Sequence, residues 1–275
     1  MQTSVLSALL GFWIFVVVLV AIRKHHFEFD MPIHVYSDEL SSQLHVPPFN
    51  LTQLDGHRMV NFVHFPKSFS ETCRNSTKEY LQLLVLVLSS PGNKAARDSI
   101  RKLWGSPEIS RGIREGKVKI YFLVGNGQKT KSQMRQEIAK HDDIIIIDVD
   151  DSYQNLVYKS FSVLHIAAHI CPSLFTLKVD EDTVFHIDRF LGRIYSHFFH
   201  ENADIYCYVW EKSPVERSVS SQWYVSRDQF EGEKYPNFCS GPAYVITRRA
   251  AKQILDKTHM FPDIQVYNFN SPSAF

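Results

Sequence analysis

Three consecutive carboxylates, Asp180-Glu181-Asp182, follow the aliphatic run Leu174 to Val179. Adjacent carboxylates repel, so a fold that gathers them needs a cation or hydrogen-bond donors nearby. Hard divalent cations such as Mg2+ and Mn2+ take oxygen ligands and bridge to substrate phosphates. An Asp180-x-Asp182 pair at a strand-to-turn junction suits that task. One carboxylate binds the ion, and the other orients water or a ribose hydroxyl. The competing reading is a solvated acidic turn that caps a helix over Asp188 to Phe198. Other site chemistries lack their signatures. The sequence has no GxxxxGK[ST] phosphate loop and no GxGxxG after a strand. It has no GxSxG elbow for a Ser-His-Asp centre either.

A motif of this kind needs strands that end beside it. Leu81 to Leu88 is short, aliphatic and closed by Ser89-Ser90-Pro91-Gly92, which predicts a buried strand. Lys94 to Trp104 has a helical pattern and stops at Gly105. Strands follow over Val118 to Val124, Ile144 to Asp148 and Leu174 to Val179, separated by helices over Ser132 to His141 and Gln154 to Cys171. The last helix is expected to present Leu156, Ser160, Val163, Leu164, Ala167 and Cys171 on one face. This alternation predicts an α/β domain with a mainly parallel, doubly covered sheet. Ligands bind such sheets beyond the carboxyl ends of their strands, where the acidic motif lies.

The remaining features concern compartment and partners. After a short tail (residues 1–4), Val5 to Ile22 is an uncharged apolar run stopped by Arg23-Lys24-His25-His26. About 20 helical residues cross a bilayer core. A cleaved signal has an apolar stretch of only about 7–15 residues and a small-residue cleavage site, which is missing here. The run is therefore expected to be a transmembrane signal anchor, with a cleaved signal as the alternative. Residues 23–75, which include Pro47-Pro48, read as a stem and residues 76–275 as the folded domain. Flanking charge alone would leave that domain in the cytosol. The sequons at Asn50 and Asn75 point instead to a lumen. A net charge of +1 and no basic stripe argue against a nucleic-acid partner. Cys73, Cys171, Cys207 and Cys239 allow two disulfides in any of three pairings, or buried free thiols. None has CxxC spacing, so a structural zinc site is not expected.

Several segments resemble one family in the right order. Pro91-Gly92-Asn93, Arg97, Ile100-Arg101 and Trp104-Gly105 resemble the opening block of glycosyltransferase family 31, the β-1,3-galactosyltransferases and N-acetylglucosaminyltransferases. Asp151-Ser152-Tyr153-Gln154-Asn155-Leu156 with Lys159 is similar to its next block. Cys171-Pro172, Lys178 and Asp180-Glu181-Asp182 are similar to its metal block. Trp223-Tyr224-Val225, Tyr235-Pro236, Phe238-Cys239-Ser240-Gly241 and Tyr244-Val245 resemble its acceptor-side blocks. The resemblance covers roughly Leu81 to Tyr267. It implies a single-pass type II Golgi membrane protein with a lumenal GT-A fold, and inverting transfer of galactose or N-acetylglucosamine. The donor would be a UDP-sugar, the cofactor Mn2+, and the acceptor the 3-hydroxyl of a glycan or glycolipid. Asp182 would be the direct metal ligand, with Asp180 its companion. Arg97, Arg101, Lys159, Asp180 and Glu181 would form or support the donor side, and Trp223 and Tyr224 the acceptor wall.

The resemblance departs from the family pattern near the end. Members usually carry Phe-Pro-x-Glu/Asp-Asp-Val-Tyr-x-Gly, which supplies the catalytic base. Here the run is Phe261-Pro262-Asp263-Ile264-Gln265-Val266-Tyr267-Asn268-Phe269. A neutral amide is no general base, which leaves Asp263 as the candidate. Gly241-Pro242-Ala243 stands where glycines are usual. Family members also continue beyond the position of Phe275, so the domain is expected to be C-terminally incomplete. Three expectations follow: an active transferase, an inactive Golgi relative acting as chaperone or regulator, or a truncated product.

Overall fold

The computed structural model describes residues 49–50, 59–75, 81–126, 132, 134–152, 155–197, 205–221, 224–228 and 230–257. Strands in chain order are β1 (Phe49–Asn50), β2 (Met59–Val60), β3 (Phe62–His64), β4 (Leu83–Ser89), β5 (Val118–Gly125), β6 (Ile144–Ile147), β7 (Phe175–Asp180), β8 (Ile205–Trp210) and β9 (Phe238–Ile246). Helices are α1 (Lys67–Asn75), α2 (Lys94–Lys102), α3 (Arg111–Arg114), α4 (Arg135–His141), α5 (Leu156–His165), α6 (Ile187–His197) and α7 (Arg248–Lys257). The run expected to span a membrane, residues 5–22, lies outside the described residues. Among the described residues no helix is long and apolar enough to cross a bilayer.

β4 is aliphatic throughout and buried at every position, as expected of a strand covered on both faces. Its side chains alternate between two cores. Leu84, Leu86 and Leu88 join Phe69, Tyr158, Phe161, Ala251 and Ile254 on one side. Leu83, Val85 and Val87 join Ile100, Trp104, Ile187 and Leu191 on the other. Helices α1, α5 and α7 thus cover one face, and α2 and α6 the other. β6 is four isoleucines, whose branched side chains favour extended backbone.

The seven-stranded sheet has the order β3-β6-β5-β4-β7-β9-β8. β6, β5, β4 and β7 are parallel, while β3, β9 and β8 pair antiparallel at the flanks. The fold is thus α/β with a mainly parallel centre. The domain begins earlier than the boundary at residue 76 that composition alone predicts. Val60, Phe69 and Cys73 are core residues and β3 is part of the main sheet. Pro, Ser and His mixing hid this segment because its strands are only two or three residues long. β8, β9 and α7 have no counterpart among the predicted elements.

Two helices differ from their predicted form. α2 ends at Lys102, and the chain turns through Gly105, whose N–H donates to the Ile100 carbonyl at 2.9 Å. A side chain there would meet that oxygen at 2.7 Å, so the stop requires glycine. The helix expected over 154–171 is α-helical only to His165, and Ile166–Ile170 widens into a π-turn. Tyr158 to Leu164 are all buried, so the helix is enclosed on more than one face. This contact with both a sheet and flanking helices is not encoded in a one-faced periodicity.

All four cysteines are paired, Cys73 with Cys171 and Cys207 with Cys239. The first closes a loop of 98 residues and ties α1 to the end of the π-turn. The second crosses between β8 and β9, 32 residues apart in sequence. Closing long loops limits the unfolded chain, and loss of such a bond typically costs about 2–5 kcal/mol. Peptide mapping without reductant is expected to recover these two pairs alone. The Cys73→Ser, Cys171→Ser double variant should lose stability in that range in urea titrations.

His165 lies in α5 beside His169, ring centroids 5.1 Å apart. Burial, together with the neighbouring imidazole, pushes its pKa down to about 4 from 6.5. Between those values the folded chain binds fewer protons than the unfolded chain, so stability falls as pH drops through that window. Melting temperatures measured from pH 7.5 to 5 should decline, and His165→Leu should flatten the slope.

Candidate active site

From β4 the chain moves outward to β5 and β6, then crosses back to β7 on the other side of β4. The carboxyl ends of β4 and β7 therefore border the switch point, where open α/β sheets bind their ligands. β4 ends at Ser89 and β7 at Asp180, so the acidic motif stands at this crevice.

Ser89 is the hub of the crevice floor. Its hydroxyl accepts from Arg97 Nη1 at 2.9 Å and donates to Glu181 Oε2. Its carbonyl accepts from Lys159 Nζ at 2.9 Å. Arg97 is fully buried and meets Glu137 in a bidentate pair, Nε and Nη2 each 2.8 Å from a carboxylate oxygen. The same guanidinium donates to the carbonyls of Ser90 and Pro91. It thereby shapes the turn between β4 and α2. Arg101 extends the network, donating to Glu137 Oε1 at 2.8 Å and gripping Asp143 through Nε and Nη2 at 2.7 and 2.8 Å. Burial pushes the Glu137 carboxyl up, but its bonds to Arg97 and Arg101 outweigh this and hold it below its usual value.

The expected donor-side residues are therefore brought together, mostly as the support of a wall. Lys159 is buried and donates to both oxygens of Asp151 at 2.9 Å. Glu181 accepts from Ser90 N at 3.2 Å and Asn93 Nδ2 at 2.9 Å, so its carboxylate binds the protein's own turn. Asp180 pairs with Lys178, whose ammonium also donates to the Gly241 carbonyl at 2.9 Å. Burial pushes the Asp180 carboxyl up and the Lys178 ammonium down, each opposed by the other's charge.

Asp182 is different. It is exposed and accepts from the Thr183 hydroxyl at 3.4 Å, and among the described residues no cation pairs with it. A solvent-facing carboxylate beside a second one suits a hard cation that keeps water and phosphate ligands. Among the described residues no three His, Cys, Asp or Glu side chains converge on one point. Asp180 and Asp182 are the two carboxylates that could hold such an ion here, and two protein ligands alone would leave its other positions to water or phosphate.

Tyr224 is half-buried in the excursion between β8 and β9. Trp223 and the candidate base Asp263 lie outside the described residues. Asn50 falls in β1 and Asn75 at the last position of α1. Ser89, Glu137 and Asp151 were not among the predicted site residues. Ser89 reads as strand punctuation, and Glu137 as one more charge on a polar helix. Only the tertiary fold joins them to Arg97 and Lys159.

The galactosyltransferase family profile matches residues 95–268. The chain belongs to the galactosyltransferase family. Among its relatives, the β-1,3-galactosyltransferase bre-2 of Caenorhabditis elegans is 35% identical over 220 residues, 76% of this chain and 58% of that protein. The β-1,3-galactosyltransferase 5 of Gorilla gorilla gorilla is 28% identical over 80% of this chain and 71% of its own length. A crystal structure of HddC from Yersinia pseudotuberculosis covers 70% of this chain and 86% of its own at 11% identity. Its TM-score of 0.32 is too low to bear on the fold. The family match extends from α2 to beyond α7, so it takes in Arg97, Lys159 and the acidic motif of this galactosyltransferase-family domain.

The Arg97–Glu137 pair is expected to dominate the stability of the crevice. Arg97→Met leaves Glu137 buried with only Arg101, and breaking such a pair typically costs about 3–5 kcal/mol. Urea titration of the variant checks this. An exposed control, Arg227→Met, should change stability by less than about 0.5 kcal/mol.

Proposed function

We propose that this galactosyltransferase-family protein is a metal-dependent, inverting β-1,3-glycosyltransferase that moves galactose or N-acetylglucosamine from a UDP-sugar to a glycan or glycolipid hydroxyl. The observation that carries the reading is Asp182, an exposed carboxylate without a cationic partner among the described residues, beside Asp180 at the β4–β7 switch point. The domain is read as GT-A-like. Asp182 and Asp180 would hold Mn2+, which when bound neutralises charge building on the diphosphate leaving group.

The chain's own residues divide the remaining work. Lys178 fixes the Asp180 carboxylate, and Gly241 in turn fixes Lys178. Glu181, Ser89 and Arg97 hold the Ser90-Pro91 turn rigid at the crevice floor. Rigid donors and dipoles around a reacting phosphate stabilise developing charge without reorganising. Trp223 and Tyr224 offer an aromatic wall to the apolar face of a sugar ring. Asp263 is the proposed base for the acceptor hydroxyl, in a single displacement through an oxocarbenium-like state. The two disulfides support an oxidising compartment. We therefore read the chain as a Golgi type II protein anchored through residues 5–22, with the domain in the lumen.

A second reading rests on Gln265, an amide where the family pattern has a carboxylate. It makes the chain a sugar-nucleotide-binding regulator without transfer activity. Assays of the full chain with UDP-galactose, UDP-N-acetylglucosamine, Mn2+ and simple glycans separate the two. Transfer is expected, and Asp182→Ala should lower it by about 100-fold or more while leaving the fold intact. Undiminished transfer by the variant would sink the metal assignment. UDP binding without turnover would favour the regulator.

A further inference from the structure

β9 does not run evenly beside its neighbour. Cys207 of β8 stands opposite Tyr244, while Val209, two residues on, stands opposite Cys239, five residues back. The surplus residues leave the β8 ladder as an arch, Ser240-Gly241-Pro242-Ala243. The sequence supplies the reason. Pro242 has no N–H for a ladder, and proline within a sheet is confined to edges, strand starts and bulges. A bulge bends its strand and re-aims nearby groups, and bulges are over-represented beside active sites.

Direct contacts place the arch against the acidic motif. On the side away from β8, Ala243 pairs with Val179, the residue before Asp180. Gly241 is buried, and its carbonyl accepts from Lys178 Nζ at 2.9 Å. Lys178 is itself fully buried and pairs with Asp180. An ammonium in the interior needs acceptors for its three donors. The arch supplies one of them and Asp180 another. The position of Gly241 therefore sets where the ammonium stands and, through it, the Asp180 carboxylate.

The base of this arch is closed covalently. Cys239 precedes its first residue, and Cys207 faces the residue that follows its last. The two cysteines are joined as a disulfide, with Cα atoms 5.5 Å apart. One bond thus ties both ends of the arch to the same point on β8. The Cys73–Cys171 bond has a different place, between α1 and the end of the π-turn.

We propose that Cys207 and Cys239 are positioning residues for the acidic crevice, acting on Asp180 through the arch, Gly241 and Lys178. The inference rests on the transferase reading above and gives its metal–diphosphate site a covalent support. Neither sulfur takes part in the chemistry.

The test compares the full chain with two double variants, Cys207→Ser with Cys239→Ser and Cys73→Ser with Cys171→Ser. UDP is titrated calorimetrically in MnCl2 at a temperature where all three chains are folded. Loss of the Cys207–Cys239 bond should weaken UDP binding by about 10-fold or more, the effect of losing an outer-shell partner of a metal ligand. Loss of Cys73–Cys171 should lower stability yet leave UDP affinity within about twofold, as expected of independent sites. A Lys178→Met background supplies a second arm. There, removing the Cys207–Cys239 bond should shift UDP affinity by less than about twofold, because its effect is coupled through Lys178. Equal losses in the two cysteine variants, or the same loss persisting without Lys178, overturn the proposal. Should the Cys207→Ser, Cys239→Ser chain fail to fold, dithiothreitol treatment of the unmodified chain replaces it. Two electrons from the dithiol convert the bridge to two thiols, which iodoacetamide then caps. Cys207 is half-buried whereas Cys73 and Cys171 are both buried, so this bridge opens first, and peptide mapping identifies it. If the unmodified chain binds no UDP with Mn2+, the transferase reading fails by itself. Amide hydrogen exchange over 178–183 then decides the inference. It should rise when the Cys207–Cys239 bond is lost, and an unchanged rate refutes the proposal.

Discussion

The ion pair between Arg97 and Glu137 is the contact on which the crevice depends. Neither group could be buried alone, because an unpaired charge in the interior costs several kcal/mol. Paired, they leave the guanidinium with donors to spare, and these go to Ser89, Ser90 and Pro91. The end of β4 thereby acquires a fixed shape. Glu181 and Lys159 then bind that shape from β7 and α5. Two helices, a strand and a turn meet on one serine.

This arrangement separates two roles within three adjacent carboxylates. Glu181 reaches back to the protein, Asp180 is neutralised by Lys178, and Asp182 faces water. Mutual repulsion is relieved by giving each carboxylate a different environment. Asp182 is the exposed one of the three, has no cationic partner among the described residues, and stands next to the half-buried Asp180.

Much of this was legible in the sequence. The four central strands follow from aliphatic runs closed by turn residues, and the acidic motif follows from its place after Val179. The antiparallel edge was not legible. β8 and β9 carry Tyr, Cys, Ser, Gly and Pro, and the edge strand β8 has no fully buried position. Such strands form because β7 offers a free edge, a tertiary cause that local pattern does not record. Likewise Arg97 and Arg101 share a helical spacing that suits a solvated face equally well. Their partners, Glu137 and Asp143, lie some forty residues away. The disulfide pairing could not be read from spacing, since four cysteines permit three connectivities.

That pairing joins the first cysteine to the second and the third to the fourth. A chain delivered from its N-terminus into an oxidising compartment would meet its partners in the native order. Of these four cysteines, only Cys73 precedes Cys171, and Cys207 is followed by its own partner Cys239. Oxidation in step with synthesis would thus reach the observed connectivity of these four cysteines without reshuffling.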